Sequence, residues 1–204
     1  MMEKGLVHAR RDERATAGFR YFLLISLVAI VAILLVSGLG LRAILRDFVI
    51  REAEDDAVRI SAGIRDREMA RFIRRTSGGR YELNISKQEL PELDREMRTF
   101  LGSFDIVKIK VFNTDTRIVY STDLKIIGRL DPNNAKLAIV LGGSSISEYE
   151  SKDSVWDLDD EERKDVEIVE TYVPVRSPDG RIVGSFEVYK DVTRDLTATS
   201  NELL

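Results

Sequence analysis

The chain of 204 residues contains no cysteine and a single histidine, His8. Without cysteine, disulfide bonds and thiolate metal sites are excluded. With one histidine, and that one near the N-terminus, the rest of the chain lacks the residues for a Ser-His-Asp or Cys-His catalytic site. The Gly78-Gly79 and Gly142-Gly143 pairs end predicted helices and lack the neighbours of a nucleotide-binding loop. We therefore predict no catalytic residue, no metal-ligand set and no cofactor.

The chain also has little basic charge outside its N-terminus. Its net charge is −4, whereas phosphate backbones are bound by lysine- and arginine-rich surfaces, so nucleic acid is not an expected partner. The most acidic stretch holds Asp157, Asp159, Asp160, Glu161 and Glu162. These oxygens suit a divalent cation, but they lack the Asp-x-Asp-x-Asp-Gly pattern of a calcium loop. We interpret the stretch as a solvated loop or helix start.

One long apolar run is present, at residues 21–41, which contain no charged side chain. As a helix this run matches the hydrocarbon layer of about 30 Å. The tail of residues 1–20 carries five basic and three acidic side chains and is expected to stay in the cytoplasm, which places the following domain outside it. A cleaved signal peptide is the alternative, although its apolar region is shorter and only Val36-Ser37-Gly38 approximates a cleavage site. We predict a transmembrane anchor, and hence the membrane as a partner.

Residues 42–76 continue the helical pattern as a stalk. Apolar residues recur at heptad spacing, at Ile50, Ala53, Ala57, Ile60 and Ile64. Only Gly63 interrupts this pattern between Leu41 and Arg75, so an unbroken helix is expected. Two interpretations of the seam stay open. It is either a coiled-coil stalk that joins two copies of the chain, or the face of an amphipathic helix that covers its own sheet.

The remainder predicts an α+β domain. Ser86–Glu89 forms a capping box before a helix with Pro91 in its first turn. Strands are predicted at 106–113, 117–121, 145–150, 166–175 and 182–190, with a short helix at 135–141. Pro178-Asp179-Gly180 marks a hairpin turn. We expect five antiparallel strands, covered by helices on one side.

Three segments then carry a family resemblance: FDIVKIKVFNTDTRIVYSTDLKIIG, VWDLDDEER and VETYVPVRSPDGRIVGSFEVYKDVTRDL. They resemble the extracytoplasmic PAS-like (Cache, or PDC) sensor domains of bacterial histidine kinases and membrane-bound diguanylate cyclases. The resemblance covers about residues 43 to 200, with the sensor domain at 77–195. It implies a signal-input region in the inner membrane, and it implies that residues 196–204 begin a helix toward a second membrane span.

The resemblance also implies a small-molecule pocket between the sheet and its strand-to-helix connections. Two lysines on one strand face, Lys108 and Lys110, suit a carboxylate ligand. Four aromatic residues are candidates for the pocket lining: Tyr120, Tyr149, Trp156 and Tyr172. The resemblance implies that the whole protein is a two-component sensor histidine kinase that works as a homodimer. A diguanylate cyclase and a self-standing anchored binding protein are the alternatives.

Overall fold

A computed structural model describes the backbone of residues 3–201 and the side chains of residues 20–198. The chain divides into two compact units, Met1–Arg46 and Asp47–Leu204. The first helix, α1, extends over Glu3–Ile64. The side chain of His8 and the last three residues lie outside the described part.

The first unit is helical and contains the apolar run of residues 21–41. Within the described residues, one helix is long and apolar enough to cross a membrane, with a mean hydropathy of 3.0 in its most apolar window and no buried side chain there. Large apolar side chains such as Phe22, Leu24 and Leu35 are exposed along it. A fully apolar helical surface is expected where lipid rather than water or protein surrounds the helix.

In the second unit, α1 ends at Ile64 and the chain continues through two turns of different helical type. A π-helical turn at Arg65–Met69 and a 3₁₀ turn at Ala70–Phe72 follow the α-helix, and strand β1, Ile73–Arg75, comes next. The expected unbroken helix to Arg75 is therefore wrong. The reason is burial: Ile64 and Met69 are both fully buried although they are five residues apart. One i→i+5 turn brings them to the same side, which an α-helix does not.

A small hairpin and a second helix lead to the main sheet. Strand β2, Tyr81–Leu83, pairs with β1, and helix α2 extends over Leu90–Leu101. The backbone N–H of Ser86 donates to Glu89 Oε2 over 3.0 Å, so half of the predicted capping box is formed. The α2 residues Leu93, Met97 and Leu101 are buried.

The main sheet has five antiparallel strands in the order β4-β3-β7-β6-β5. Their bounds are β3 Ile106–Asn113, β4 Ile118–Ser121, β5 Ile146–Trp156, β6 Glu162–Arg176 and β7 Ile182–Asp191. Helix α3, Ala135–Leu141, lies between β4 and β5, and α4, Thr193–Asn201, follows β7. This α+β arrangement confirms the predicted fold class.

Helices cover both faces of this sheet. On one face, α1 and α2 pack against Ile109, Val111, Phe186 and Val188. On the other face, the α3 side chains of Leu137 and Val140 pack with Phe112, Ile118 and Tyr172. The expectation of helices on one side only is wrong, because α3 buries a second apolar cluster on the opposite face.

The heptad seam of α1 packs on the sheet of its own chain. Ala57, Ile60 and Ile64 belong to the main core, and Ala53 packs with Val169 and Val192. Ile50 is half-buried beside Ala53, Val169 and Val192. These contacts match the covering-helix interpretation. The assignment of the seam residues to a dimer interface is corrected accordingly, since side chains buried in their own domain are not free to contact a second copy.

The acidic stretch forms a tight, largely exposed turn between β5 and β6, so of the two expected forms the loop is found and the helix start is not. Strands β5 and β6 pair from Ile146↔Tyr172 to Trp156↔Glu162, so both extend well beyond their predicted ends. Asp157 Oδ1 accepts the backbone N–H groups of Asp159 and Glu161 over 2.9 and 3.0 Å, and Asp157 Oδ2 accepts Arg163 Nε over 2.8 Å. The Asp157 carboxylate is thus used to build the turn.

Candidate functional site

A row of charged side chains with two tyrosines, termed the belt, crosses the face of the sheet that α3 covers. Its members are Lys108, Lys110, Asp123, Lys136, Glu148, Glu150, Lys152, Glu170, Tyr172, Glu187 and Tyr189. Lys108 and Lys110 alternate with buried apolar residues of β3, as predicted, and both lie on this face. The strand register places Tyr189 opposite Lys108 and Glu187 opposite Lys110, both on β7. The next strand, β6, places Glu170 opposite Tyr189.

At the centre of the belt, Lys110 contacts a deeply buried carboxyl group. Lys110 Nζ donates to Glu187 Oε1 and to the Tyr189 hydroxyl, each over 2.8 Å. The Tyr189 hydroxyl in turn donates to Glu187 Oε1. Glu187 is only 1% exposed. Among the described residues, no N–H or O–H group donates to its other oxygen, Oε2. Burial of such an oxygen is costly unless the carboxyl group binds a proton and becomes a donor.

A second buried carboxyl group lies beside the first. Glu170 is 5% exposed, and it lies diagonally across from Glu187 on the adjacent strand β6, where the two carboxyl groups influence each other's pKa. From α3, Lys136 Nζ approaches Glu170 Oε1 to 3.2 Å and Glu148 Oε2 to 2.7 Å. The Lys136 ammonium group also lies 5.5 Å from the centre of the Tyr172 ring.

Tyr172 closes the belt on the α3 side. Asn134 Nδ2 donates to the Tyr172 hydroxyl over 2.9 Å. Asn134 is also the N-cap of α3, where its Oδ1 accepts the Leu137 N–H over 2.9 Å. The start of α3 is therefore tied to the belt by two separate side chains, Asn134 and Lys136.

The two glutamates respond oppositely to their common surroundings. Burial raises the pKa of Glu187 despite the favourable charge and hydrogen bonds of Lys110. Burial also disfavours ionised Glu170, but hydrogen bonds from Glu187 and Tyr172 and the charge of Lys136 outweigh it and lower the Glu170 pKa. Opposite shifts in two neighbouring buried carboxyl groups favour a state in which Glu187 is protonated and Glu170 is ionised.

The surroundings of Lys108, on the β3 side of the belt, disfavour its charged form. Burial, followed by the nearby charge of Lys110, lowers the pKa of Lys108. Lys108 Nζ lies 3.7 Å from Asp123 Oδ2. At the β5 edge, Lys152 pairs with Glu150 over 2.5 Å.

The charges of the belt do not balance without a proton. Its ion pairs link four lysines, Lys108, Lys110, Lys136 and Lys152, with five acidic residues, Asp123, Glu148, Glu150, Glu170 and Glu187. Solvent screens the outer members Asp123, Glu148 and Lys152, whereas Glu170 and Glu187 are buried, so the excess negative charge is costly at this pair and one proton there removes it.

Three of the six predicted ligand-binding residues, Lys108, Lys110 and Tyr172, meet in the belt. Tyr120 lies on the opposite face, fully buried, where its hydroxyl donates to Asp94 Oδ1 over 2.9 Å. Tyr149 packs beside Val169 on that same opposite face and donates to Glu167. Trp156 is 62% exposed at the end of β5. These three side chains are not brought to the belt.

Sequence reasoning missed the central residues of the belt, Lys136, Glu170, Glu187 and Tyr189, and its outer members, Asp123, Glu148, Glu150 and Lys152. A signal was present for two of them, since Glu187 and Tyr189 alternate with Phe186 and Val188 on β7 and thus share one face of the strand. Lys136 and Glu170 carried no such signal, because their meeting depends on where α3 packs.

Several clefts lie elsewhere in the second unit. Two, of about 390 and 520 Å³, lie beside Phe100 and Phe104. Two more, of about 310 and 570 Å³, lie at the β6–β7 turn and between β2 and the β3–β4 turn. None of these four is lined by Lys108 or Lys110. Among the described residues, no group of three or more histidine or acidic side chains is arranged to hold a metal ion.

Comparison with solved structures identifies the fold of the second unit. Its five-stranded sheet with helices is the PAS-like fold of extracytoplasmic sensor domains. Comparisons of the sequence with protein-family models and with curated proteins find no match.

Three similar structures carry this assignment. The sensor domain of the Vibrio cholerae histidine kinase DctB superposes with a TM-score of 0.55 at 12% identity, over 81% of this chain and 58% of that one. The E. coli DcuS sensor domain superposes with a TM-score of 0.50 at 11% identity, over 76% of this chain and 98% of that one. The periplasmic domain of RsbU from Chlamydia trachomatis superposes with a TM-score of 0.52 at 9% identity, over 78% of this chain and 52% of that one. The chain thus spans little more than half of the DctB and RsbU structures.

Proposed function

We propose that this chain is the signal-input region of a membrane-anchored bacterial receptor, with the PAS-like domain outside the cytoplasm. The observation that carries the proposal is the order of the two units: a PAS-like sensor fold directly follows an apolar helix able to cross a membrane. The similar structures include the sensor domain of the histidine kinase DctB, the DcuS sensor domain and the periplasmic domain of RsbU. We infer a sensor histidine kinase as the whole protein, and the inner membrane as its location.

A topology experiment tests the location. Alkaline phosphatase, which is active only outside the cytoplasm, is fused after Ala198 of the chain in bacterial cells. We expect high phosphatase activity, and no fluorescence from a GFP fusion at the same position. Deletion of residues 21–41 is the matched control and should abolish the activity. An inactive phosphatase fusion together with a fluorescent GFP fusion would contradict extracytoplasmic sensing.

The size of the native protein tests the receptor assignment. An antibody against the PAS-like domain is used on membranes of the source cells. A band far above the 23.1 kDa of this chain supports a receptor with an output module. A band near that mass would instead favour a self-standing anchored protein that acts through a separate partner.

We further propose that two copies associate through the outer face of α1. Phe48, Arg51, Asp55, Val58 and Ala62 are all exposed and recur at spacings of three and four. At 3.6 residues per turn this face lies opposite the buried seam. Its apolar residues suit a helix–helix contact, and Arg51 and Asp55 supply opposite charges one turn apart, which two parallel copies can pair.

Cysteine cross-linking tests this association cleanly, because the chain has no native cysteine. We expect Val58→Cys in the full chain in membranes to form a disulfide-linked dimer under mild oxidation. Two controls should stay monomeric: Ala57→Cys, which is buried, and Glu52→Cys, which is exposed on another side of α1. Equal cross-linking of Val58→Cys and Glu52→Cys would indicate random collision and reject the interface.

A further inference from the structure

One carboxylate oxygen of Glu187 is a candidate binding site for a single proton. Glu187 Oε1 already accepts hydrogen bonds from Lys110 and Tyr189. Its Oε2 is buried, and within the described residues it receives no hydrogen bond from a donor group. The strand register places a second buried carboxyl group, that of Glu170, diagonally across from Glu187 on the neighbouring strand and on the same face of the sheet. Two carboxylates in contact repel each other, whereas a proton between them forms a strong, charge-assisted hydrogen bond.

Every element around the pair contributes charged or titratable groups. Lys110 and Lys108 face it from β3, Tyr189 from β7, and Tyr172 from β6. Glu148 reaches it from β5 through Lys136, which belongs to α3. The two ammonium groups in direct contact, Lys110 and Lys136, each bind one glutamate of the pair. Since Lys136 also contacts Glu148 and Glu150, its charge is only partly available to the buried Glu170.

We propose that the Glu170–Glu187 carboxyl pair binds one proton, and that this proton is the stimulus that the domain detects. The second half of this inference rests on the proposed sensory function, whereas the first half does not. When the proton is bound, the Glu187 carboxyl group donates from Oε2 to Glu170, and Lys136 holds α3 against the sheet. When the proton leaves to solvent, the two carboxylates repel each other and the start of α3 loosens.

The pair is connected to both ends of the domain. Glu187 lies on β7, and three residues later on the same strand Lys190 forms an ion pair with Asp56 of α1. Strand β7 continues through Val192 into α4. On proton loss the repulsion between the carboxylates also acts on Glu187 and therefore on β7. A resulting shift of β7 is transmitted to α1 through the Lys190–Asp56 ion pair and to α4 through the chain itself.

Hydrogen exchange of α3 as a function of pH tests proton binding. The full chain in detergent is compared from about pH 4 to about pH 9, after correction for intrinsic exchange rates. In the wild type we expect α3 opening to increase up to tenfold per pH unit across the titration of the pair, as one linked proton requires. The infrared band of a protonated carboxyl group should disappear over the same interval.

Three variants make the result specific. Glu187→Gln, which cannot titrate but can still donate to Glu170, should abolish the pH dependence and keep α3 protected throughout. Glu148→Gln, which alters an exposed member of the belt, should keep a transition. If Glu187→Gln does not fold, Glu170→Gln replaces it; there the transition should move to lower pH, because Glu187 loses its carboxylate neighbour and keeps the positively charged Lys110 and Lys108.

The outcomes separate this inference from the proposed function. A wild-type profile without a transition, or one that is unchanged in Glu187→Gln, overturns proton binding by the pair even if the topology experiment succeeds. A cytoplasmic location in the topology experiment would overturn sensing outside the cell and leave proton binding standing. In a chimeric receptor that joins this chain to a known kinase output, pH-dependent output that Glu187→Gln abolishes supports the proton as the stimulus, and pH-independent output overturns it.

Discussion

At the scale of single residues, one glycine sets the spacing of the central strands. Gly184 of β7 is paired with Asn113 of β3. A Cβ atom at Gly184 would lie 2.1 Å from the backbone oxygen of Phe112 and 3.0 Å from Leu83 Cδ2. Backbone atoms of a central strand cannot yield as a flexible side chain does. Glycine is therefore required for β2, β3 and β7 to meet.

We predict that Gly184→Ala lowers the free energy of unfolding by about 2 kcal/mol or more, because the methyl group overpacks a buried strand contact. Urea denaturation of the full chain measures this. Gly78→Ala is the control: an added Cβ there meets only Thr76 Oγ1 at 3.8 Å, so its effect should stay within about 0.5 kcal/mol. Equal stability of the two variants would show that the β3–β7 spacing can relax.

A second residue-scale feature is a bulge that changes which side chains share a face. The β3–β7 register shifts between Ile106 and Lys108. Strict alternation along β3 would place Val107 on the same face as Ile109, and Ile106 on the same face as Lys108. Instead Ile106 joins the main core and Val107 packs with Tyr189 on the opposite face. A bulge inserts one unpaired residue, so alternation inverts on its far side.

At the scale of elements, one arginine joins three parts of the domain. Arg98 of α2 binds Asp94 Oδ2 through Nε over 3.0 Å and the Thr122 carbonyl through a terminal nitrogen over 2.6 Å. Its other terminal nitrogen donates to the Leu158 carbonyl in the β5–β6 turn. The acidic turn is thus anchored to α2 and to the end of β4.

We predict that Arg98→Ala lowers the free energy of unfolding by about 1–3 kcal/mol, since two carbonyl groups lose a charged donor. It should also increase proteolysis within the turn at 157–161 more than elsewhere. Limited proteolysis followed by mass spectrometry measures this, and Arg95→Ala, an exposed position of the same helix, is the control. Unchanged cleavage of the turn would mean that Asp157 and Arg163 hold it without α2.

The heptad pattern of α1 illustrates how much an element reveals in isolation. Periodicity identified Ala53, Ala57, Ile60 and Ile64 as one apolar face, and all four are buried. It left the partner of that face open between a second copy and the chain's own sheet. An apolar stripe indicates that a helix is covered, whereas the covering surface depends on what the rest of the chain places beside it.

At the scale of the whole molecule, the belt links acid–base behaviour to stability. Glu187 has a pKa raised above the ordinary glutamate value of 4.5. The folded domain therefore holds this proton more tightly than the unfolded chain does. Its contribution to stability is complete below about pH 4.5 and is lost as pH rises through the pKa of folded Glu187.

We predict that Glu187→Gln is more stable than the wild type at high pH, and that the difference between them shrinks as the pH falls toward 4.5. The difference should change by at most about 1.4 kcal/mol per pH unit, the limit for one proton. Denaturation of both proteins over a series of pH values measures it. A constant difference at all pH values would show that Glu187 has no raised pKa in the folded protein.

The sequence by itself determined what depends on neighbouring residues. The apolar run at 21–41, the bounds of β3 and α3, the α+β class and the common face of Lys108 and Lys110 all follow from local periodicity, which needs no knowledge of partners. Tertiary structure decided the rest: the π-helical turn that buries Met69, the placement of helices on both faces, and the partner of the α1 seam. It also decided the belt, because Lys110 and Glu187 are 77 residues apart and meet only through strand register, and Lys136 reaches Glu170 only through the packing of α3.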